Sequence, residues 1–353
     1  MIRSPFSLAL LALALIGCAP ADPQQKLSVA LTDGVLLPAH STWHEANRQL
    51  ALSAQAFCSN QQELAEARQA FLGAQSAWAA LQPLLIGPMA ESNRAWQVQF
   101  WPDKKNLVAR QVEGLLKSTP EITPALLDKS SVVVQGLTAY EYVLFDPKID
   151  LAEPASKARY CPLIIAIGAH QEALASDVLQ QWQAADGMAE QLKNFPNERY
   201  AEAPEAVAEL LRTQISALDG LKKKLGTPLG RQSKGHPQPY QAEAWRSKAS
   251  LANLAAGLAS AERIWRGSAQ DGVQTLLSTE QSDLKQRIDS SYSDTRQRLA
   301  ALQRPLGELL GDEAGRDELN ALYDSLDALH RTQEGELAKT LGIQLGFNAH
   351  DGD

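Results

Sequence analysis

The stretch SSVVVQGLTAYEYVLFD, residues 130–146, decides the fold class of this chain. It is almost wholly apolar and carries one glutamate, Glu141, in its middle. Its valines would suit a buried strand, but its length and the three- and four-residue spacing of its apolar positions favour a buried helix. On such a helix Glu141 lies on the apolar stripe. A lone buried charge costs on the order of several kcal/mol, so this carboxyl must be protonated or paired with a cation.

Most of the remaining chain also has a helical pattern. Apolar residues recur at three- and four-residue intervals, separated by Glu, Gln, Arg and Ala, in residues 43–58, 62–81, 161–185 and 279–302. Strand-like alternation is hard to find, so we predict an all-α fold. A long segment rich in Pro and Gly, residues 225–241, predicts a functional loop or an interdomain crossover.

Composition limits the class of protein before any motif does. The chain has 353 residues, of which 44% are hydrophobic and 21% charged, so it can bury one large core or two modest ones. Its net charge of -8 argues against a nucleic-acid partner. Neither a phosphate-binding glycine loop nor a G-x-S-x-G nucleophile elbow occurs in it.

The first residues have the pattern of a targeting signal. Residues 1–17 contain one early positive charge and an apolar run too short to span a bilayer, and they end in Leu15-Ile16-Gly17 before Cys18. This lipobox predicts a signal peptide over 1–17, a lipidated Cys18 and a tether over 18–35. The alternative is an ordinary secretory leader with a chance cysteine. A lipid anchor implies a membrane partner and a periplasmic location, and the absence of Asp after Cys18 favours the outer membrane.

The two remaining cysteines suit the same compartment. Cys58 and Cys161 form an even pair in an oxidising space, so we predict a disulfide between them. Neither cysteine lies in a C-x-x-C motif or at ligand spacing from a histidine, which makes the alternatives of a zinc site or a redox site weaker.

A short internal sequence similarity indicates two similar halves. GLTAYEYVLF at residues 136–145 resembles GLASAERIWR at residues 257–266, which puts Glu141 and Glu262 in corresponding places. A match this short also arises by chance, so an internal duplication is one of two open interpretations.

Five blocks in order resemble the imelysin-like periplasmic proteins, in the branch of predicted lipoproteins. They are SAWAALQPLLIGP (76–88), QFWPDKKNLVARQV (99–112), VVVQGLTAYEYVLFD (132–146), AEAWRSKASLANLAAGL (242–258) and LGIQLGFNAHDGD (341–353). The resemblance covers nearly all of the mature chain. It implies two similar helical bundles, which we place at residues 36–200 and 201–353. Some relatives are tied to iron uptake, and the family is named for a protein described as a metallopeptidase.

The family motif G-x-H-x-x-E falls at residues 136–141, where Glu141 is kept but Thr138 stands in place of the histidine. The resemblance implies Glu141 as a metal ligand, with iron or another divalent metal as the cofactor. A threonine hydroxyl is a poor ligand for zinc or iron, so the substitution puts both a metal site and peptidase activity in doubt.

Histidines elsewhere provide weaker candidates for a metal site. His40 and His44 are one helical turn apart, and His170 precedes Asp177 by two turns. The alternative for each is an ordinary core or surface histidine. His236, His330 and His350 show no partner at ligand spacing.

Two interpretations of Glu141 remain. In the structural one, it is ionised at the junction of the halves and held by a cation from residues 94–110 or by Arg246. In the functional one, it lines a polar pocket between the halves. The predicted ligand-binding residues are Thr138, Glu141, Asp103, Arg110 and Arg246.

Three classes of function are therefore open. The first is a lipid-anchored binding or accessory protein for iron or another ligand, with components of iron uptake as partners. The second is a metallopeptidase of imelysin type, although no set of three protein ligands and a general base is visible. The third is a structural or interaction lipoprotein.

Overall fold

The computed structural model describes residues 22–118 and 121–344, in which sixteen α-helices and no strand occur. The helices are α1 (Pro23–Leu31), α2 (Leu37–Cys58), α3 (Leu64–Leu81), α4 (Arg94–Val98), α5 (Leu107–Ser118), α6 (Pro124–Asp128), α7 (Val132–Gln135), α8 (Leu137–Phe145), α9 (Pro154–Gln183), α10 (Met188–Gln191), α11 (Ala203–Leu229), α12 (Ser250–Arg266), α13 (Ser282–Ala301), α14 (Leu306–Leu309), α15 (Glu313–Arg331) and α16 (Ala338–Thr340). The prediction of an all-α fold is confirmed.

Long helices form the frame of the first half. Helix α2 packs against both α3 and α9. The predicted disulfide is confirmed: Cys58 at the end of α2 is bonded to Cys161 near the start of α9, with the two Cα atoms 5.6 Å apart. In the entropic model, a disulfide that closes a loop of about 100 residues lowers the entropy of the unfolded chain and so stabilises the folded state by on the order of 4–5 kcal/mol.

The second half packs α11, α12, α13 and α15 together and shares its core with the first half. Helix α12 lies against α3, and α11 lies against α1. Buried residues of both halves, including Trp78 and Leu258, belong to one hydrophobic cluster. The boundary predicted between residues 200 and 201 falls between α10 and α11. The division into two units and their duplication stay predictions.

The stretch 130–146 is helical but is not one helix. Helix α7 ends at Gln135, and α8 begins at Leu137 after Gly136, whose backbone is extended. A Cβ at Gly136 would collide with the carbonyl oxygens of Gln97 and Val98 at the end of α4. The absence of a side chain at Gly136 therefore allows the end of α4 to approach closely.

The predicted tether over 18–35 is wrong for its second part. Residues 23–31 form α1 and residues 32–36 continue as a π-helical turn. Leu27, Leu31 and Val35, spaced four apart, are buried on one face, which fixes this segment to the fold. The signal peptide and Cys18 lie outside the described residues. Within the described part, no helix is long and apolar enough to cross a bilayer.

The loop predicted over 225–241 begins later than the sequence suggests. Helix α11 continues through Pro228 to Leu229 and ends at Gly230, which has φ +84°. The N–H of Gly230 bonds the Thr227 carbonyl, and the N–H of Arg231 bonds the Gly226 carbonyl. A glycine in the left-handed conformation satisfies these last helix carbonyls at no steric cost.

Candidate functional site

Three segments from the two halves meet around a cleft of about 810 Å³. Two belong to the first half: the residues just before α5 and those just after α8. The third is the loop between α11 and α12. We call this the basic cleft, and its lining includes Asp103, Lys104, Lys105, Asn106, Asp146, Lys148, Tyr240, Gln241, Trp245 and Arg246.

Arg246 fixes the floor of the basic cleft. Its Nε donates to Asp146 Oδ2 at 3.0 Å, and its Nη2 donates to Asn106 Oδ1 at 2.9 Å. The guanidinium also lies 4.3 Å from the ring centroid of Trp245 and 5.2 Å from that of Tyr142. A buried arginine held by a carboxylate, an amide and two aromatic rings is a rigid positive group.

Glu141 lies behind this floor. Its hydrogen-bond partner is neither a cation from residues 94–110 nor Arg246, the two partners predicted from the sequence, but Ser247. The residue is 2% exposed, and its Oε1 accepts hydrogen bonds from both the backbone N–H and the hydroxyl of Ser247, each at 2.8 Å. Burial raises the pKa of Glu141, and the bonds from Ser247 and the nearby Arg246 only partly oppose this shift. The direction of the shift opposes the expected ionised carboxylate.

A second buried pair lies beside Glu141. Lys224 on α11 donates to Glu243 Oε1 at 2.6 Å and also to the side-chain oxygen of Gln82. The other carboxylate oxygen of Glu243 is buried and has no partner in the described residues. Glu243 in turn helps to raise the pKa of Glu141. We call Glu141, Asp146, Lys224, Glu243, Arg246 and Ser247 the buried charge cluster.

The predicted ligand-binding residues include Glu141 and Arg246 from this cluster, but they omit Lys224 and Asp146 among others. Lys224 follows Leu218 and Leu221 on the buried stripe of α11, so its position among apolar residues was a usable signal. Asp146 closes the opening stretch and gave no such signal, because its partner Arg246 is 100 residues away in the chain.

The predicted ligand-binding residues do not all gather at the site. The hydroxyl of Thr138 donates to the Phe100 carbonyl at 3.1 Å. Asp103 lines the cleft, but its carboxylate accepts the N–H groups of Leu107 and Val108 and so caps α5. Arg110 is exposed on α5 and lies outside the cleft lining.

The residues around Glu141 do not fit a bound divalent cation. Its Oε1 already takes two hydrogen bonds from Ser247, and the positive Arg246 is close by. Thr138 offers only a hydroxyl, which is a poor ligand for zinc or iron. Across residues 22–118 and 121–344, no group of three or more His, Cys, Asp and Glu side chains could hold a metal ion.

The histidines considered as metal ligands make packing or pairing contacts with other side chains instead. His40 is buried against Trp182, with ring centroids 4.2 Å apart, and burial lowers its pKa to about 4. His170 pairs with Asp128 at 2.7 Å, whereas the predicted Asp177 pairs with Arg94.

The free charges of the basic cleft are positive. Lys104, Lys105 and Lys148 line it and have no ion-pair partner in the parts of the chain that are described. Both of its carboxylates are already bonded, Asp103 to backbone N–H groups and Asp146 to Arg246. An anion therefore finds complementary charge here, and a free cation does not.

Comparison with known proteins identifies what the chain resembles. A family model described as Imelysin, Peptidase_M75, matches residues 36–333. A search of curated proteins finds no match.

Two solved structures share the fold. An imelysin-like protein from Psychrobacter arcticum 273-4 has a TM-score of 0.79 at 22% identity, covering 93% of this chain and 98% of its own. A "putative iron-regulated protein A precursor" from Parabacteroides distasonis ATCC 8503 has a TM-score of 0.75 at 17% identity, covering 93% of this chain and 97% of its own.

Proposed function

The chain belongs to the imelysin family, and from this premise we propose that it is a lipid-anchored periplasmic binding protein of iron uptake that holds an anionic ferric chelate in the basic cleft. The charge of the cleft carries the proposal. Lys104, Lys105 and Lys148 surround the fixed Arg246 and lack ion-pair partners among the described residues. The name of the Parabacteroides neighbour supports the connection with iron.

A chelate suits this site better than a bare ion. A ferric ion needs several oxygen ligands from the protein, and the surroundings of Glu141 offer one carboxyl that already accepts two hydrogen bonds. A carboxylate chelate brings its own oxygen ligands and presents negative charge to lysine and arginine. Tyr240, which is 70% exposed, and Trp245 add aromatic surface at the same cleft.

The two alternatives fit the cleft less well. A metallopeptidase would need three protein ligands and a general base, and the donor groups around Glu141 do not supply that set. A ligand-free structural lipoprotein would leave Lys104, Lys105 and Lys148 close together without ion-pair partners among the described residues, and their like charges would repel one another.

Titration calorimetry with ferric citrate, and with citrate alone, tests the binding proposal. Replacing Lys104, Lys105 and Lys148 with alanine should weaken ferric citrate binding about tenfold or more, since each exposed charge pair contributes up to about 1 kcal/mol. The matched control replaces three exposed lysines outside the cleft, Lys26, Lys117 and Lys129. Equal losses in both triple variants, or no binding by the wild type, would contradict the proposal.

The lipid anchor is tested separately. Cys18→Ser removes the proposed acylation site, so the protein should move from the membrane fraction to the soluble periplasmic fraction. Persistence of the variant in the membrane fraction would show that Cys18 is not the anchor.

A further inference from the structure

A second cleft, of about 620 Å³, lies between the segment that follows α3 and one face of α11. We call it the tryptophan cleft, and its lining includes Gln82, Trp96, Gln99, Trp101, Leu221 and Lys224. It adjoins the basic cleft through one contact, in which the Trp101 indole N–H donates to the Gln241 carbonyl at 3.0 Å. Its volume is in the range of small-molecule sites.

The walls of this cleft are aromatic and apolar. Trp96 is 45% exposed, one of three large hydrophobic side chains exposed in the described chain. The indole N–H of Trp101 is already bonded to Gln241, so the ring offers mainly apolar surface to the cleft. Leu221 on α11 contributes the facing wall. Such surface gains free energy when a flat apolar group covers it.

The polar groups on the floor of the tryptophan cleft bond one another through their oxygens, which leaves N–H groups as hydrogen-bond donors. The indole N–H of Trp78 and the amide of Gln82 both donate to Gln99 Oε1, at 3.0 and 2.9 Å. Lys224 donates to the oxygen of Gln82. Because Trp78 and Lys224 can only donate, these contacts fix the orientation of both amides, with their oxygens used internally.

The amide nitrogen of Gln99, a residue of the cleft lining, has no hydrogen-bond acceptor among the residues that the structure describes, so its two N–H groups are free to donate. The charge of Lys224 is matched by Glu243 at 2.6 Å, but its ammonium has a third N–H. Glu209 also lines the cleft, but its carboxylate accepts from Arg199 and Tyr200. Arg212 donates to the Gln344 carbonyl and has no ion-pair partner among the described residues. The site thus combines aromatic walls, a floor of donors and a positive rim.

From these contacts we propose that the tryptophan cleft binds a small aromatic carboxylate, with its ring against Trp96 and Leu221 and its carboxylate accepting from Gln99 and Lys224. This site is separate from the basic cleft, and it does not depend on the function proposed above. A carboxylate has only acceptor oxygens, which complements the N–H donors of Gln99 and Lys224.

Calorimetry with 2-naphthoate, using the full-length protein, tests the site. Gly220 on α11 lines the cleft, and a Cβ there would meet no atom within 4 Å, so Gly220→Leu should fill the cleft and lower the affinity at least about tenfold. Gly73 on α3 is the matched control, because it also faces open space but lines neither cleft. Thermal melting checks that both variants fold.

A second variant tests the donors. Gln99→Glu keeps an acceptor for Trp78 but replaces the free amide N–H groups with carboxylate oxygen, so naphthoate binding should again fall at least about tenfold. Binding should persist in Lys104→Ala/Lys105→Ala, which alters only the basic cleft. Absence of naphthoate binding in the wild type, unchanged affinity in Gly220→Leu and Gln99→Glu, or loss in the basic-cleft variant would each overturn the proposal.

Discussion

Glu141 and Glu262 are buried glutamates in similar sequence surroundings, yet the protein stabilises them by different means. Among the described residues, Glu141 accepts hydrogen bonds from the neutral groups of Ser247 alone. Glu262 on α12 accepts from two arginines, Arg266 at 2.8 Å and Arg296 at 2.7 Å. The same residue type in a matching pattern therefore forms a hydrogen-bonded carboxyl in one half and an ion-pair network in the other.

The difference follows from what each helix packs against. Helix α12 lies beside α13, which carries Arg296, and one turn further along α12 itself is Arg266. Helix α8 faces the loop before α12, where Arg246 is already committed to Asp146. A cation that is satisfied elsewhere leaves Glu141 with neutral donors, and burial then raises its pKa.

Removing the arginine near each glutamate should give the largest difference in stability between the two regions. Arg246→Leu leaves Asp146 buried without its partner and should cost about 3–5 kcal/mol of unfolding free energy. Arg296→Leu should cost less than about 1 kcal/mol, because Arg296 has 53% of its side chain exposed and Glu262 keeps Arg266. Urea denaturation of both variants measures this contrast, and similar losses would remove the proposed difference between the regions.

Truncation of the carboxyl at the junction is the next largest effect. Glu141→Ala removes the acceptor of both Ser247 donors and should cost about 1–3 kcal/mol. The same urea experiment measures it. A variant as stable as the wild type would mean that the Ser247 bonds contribute nothing to the fold.

Replacement by glutamine should destabilise the protein less at Glu141, the more deeply buried of the two glutamates, than at Glu262. Glu141→Gln keeps an oxygen for Ser247 and should change stability by less than about 1 kcal/mol. Glu262→Gln converts charge-assisted bonds with Arg266 and Arg296 into neutral ones and should cost about 1–2 kcal/mol. If the glutamine variant at position 141 is the less stable one, Glu141 is ionised and supported by a cation.

The smallest effect is a pH dependence. Because the folded-state pKa of Glu141 is raised above 4.5, its contribution to stability is fully present below pH 4.5 and is lost as the pH rises through the raised value. Glu141→Gln lacks this loss, so it should gain stability relative to the wild type across that window. Urea midpoints of the wild type and Glu141→Gln from about pH 4 to 8 measure the difference in stability. The contributions of the other carboxyl groups are the same in both proteins and cancel in this difference. A gain for the wild type with rising pH would indicate a lowered pKa.

Much of the fold was predictable because it depends on local patterns. Helical spacing indicated the long helices, and the even pair of cysteines that remains after the predicted leader indicated the Cys58–Cys161 bond. The extended backbone at Gly136 and the close approach of α4 to this residue were not predictable, because apolar spacing does not show which backbone packs there. Likewise, Leu27 and Leu31 are buried because α1 packs against α11 and against the turn at Val273–Leu276, and local spacing does not reveal these contacts.

The helical class, the disulfide and the family could be predicted from the sequence, since periodicity, cysteine count and ordered motifs can be read without knowing which segments are in contact. The partner of Glu141 could not, because Ser247 is 106 residues away in the chain and is brought to the carboxyl by tertiary packing. That partner depends on a loop in which Ala244 and Lys248 adopt φ values of 52° and 59°. Non-glycine residues rarely adopt this conformation, so packing between the halves, rather than local preference, directs the Ser247 donors to the carboxyl.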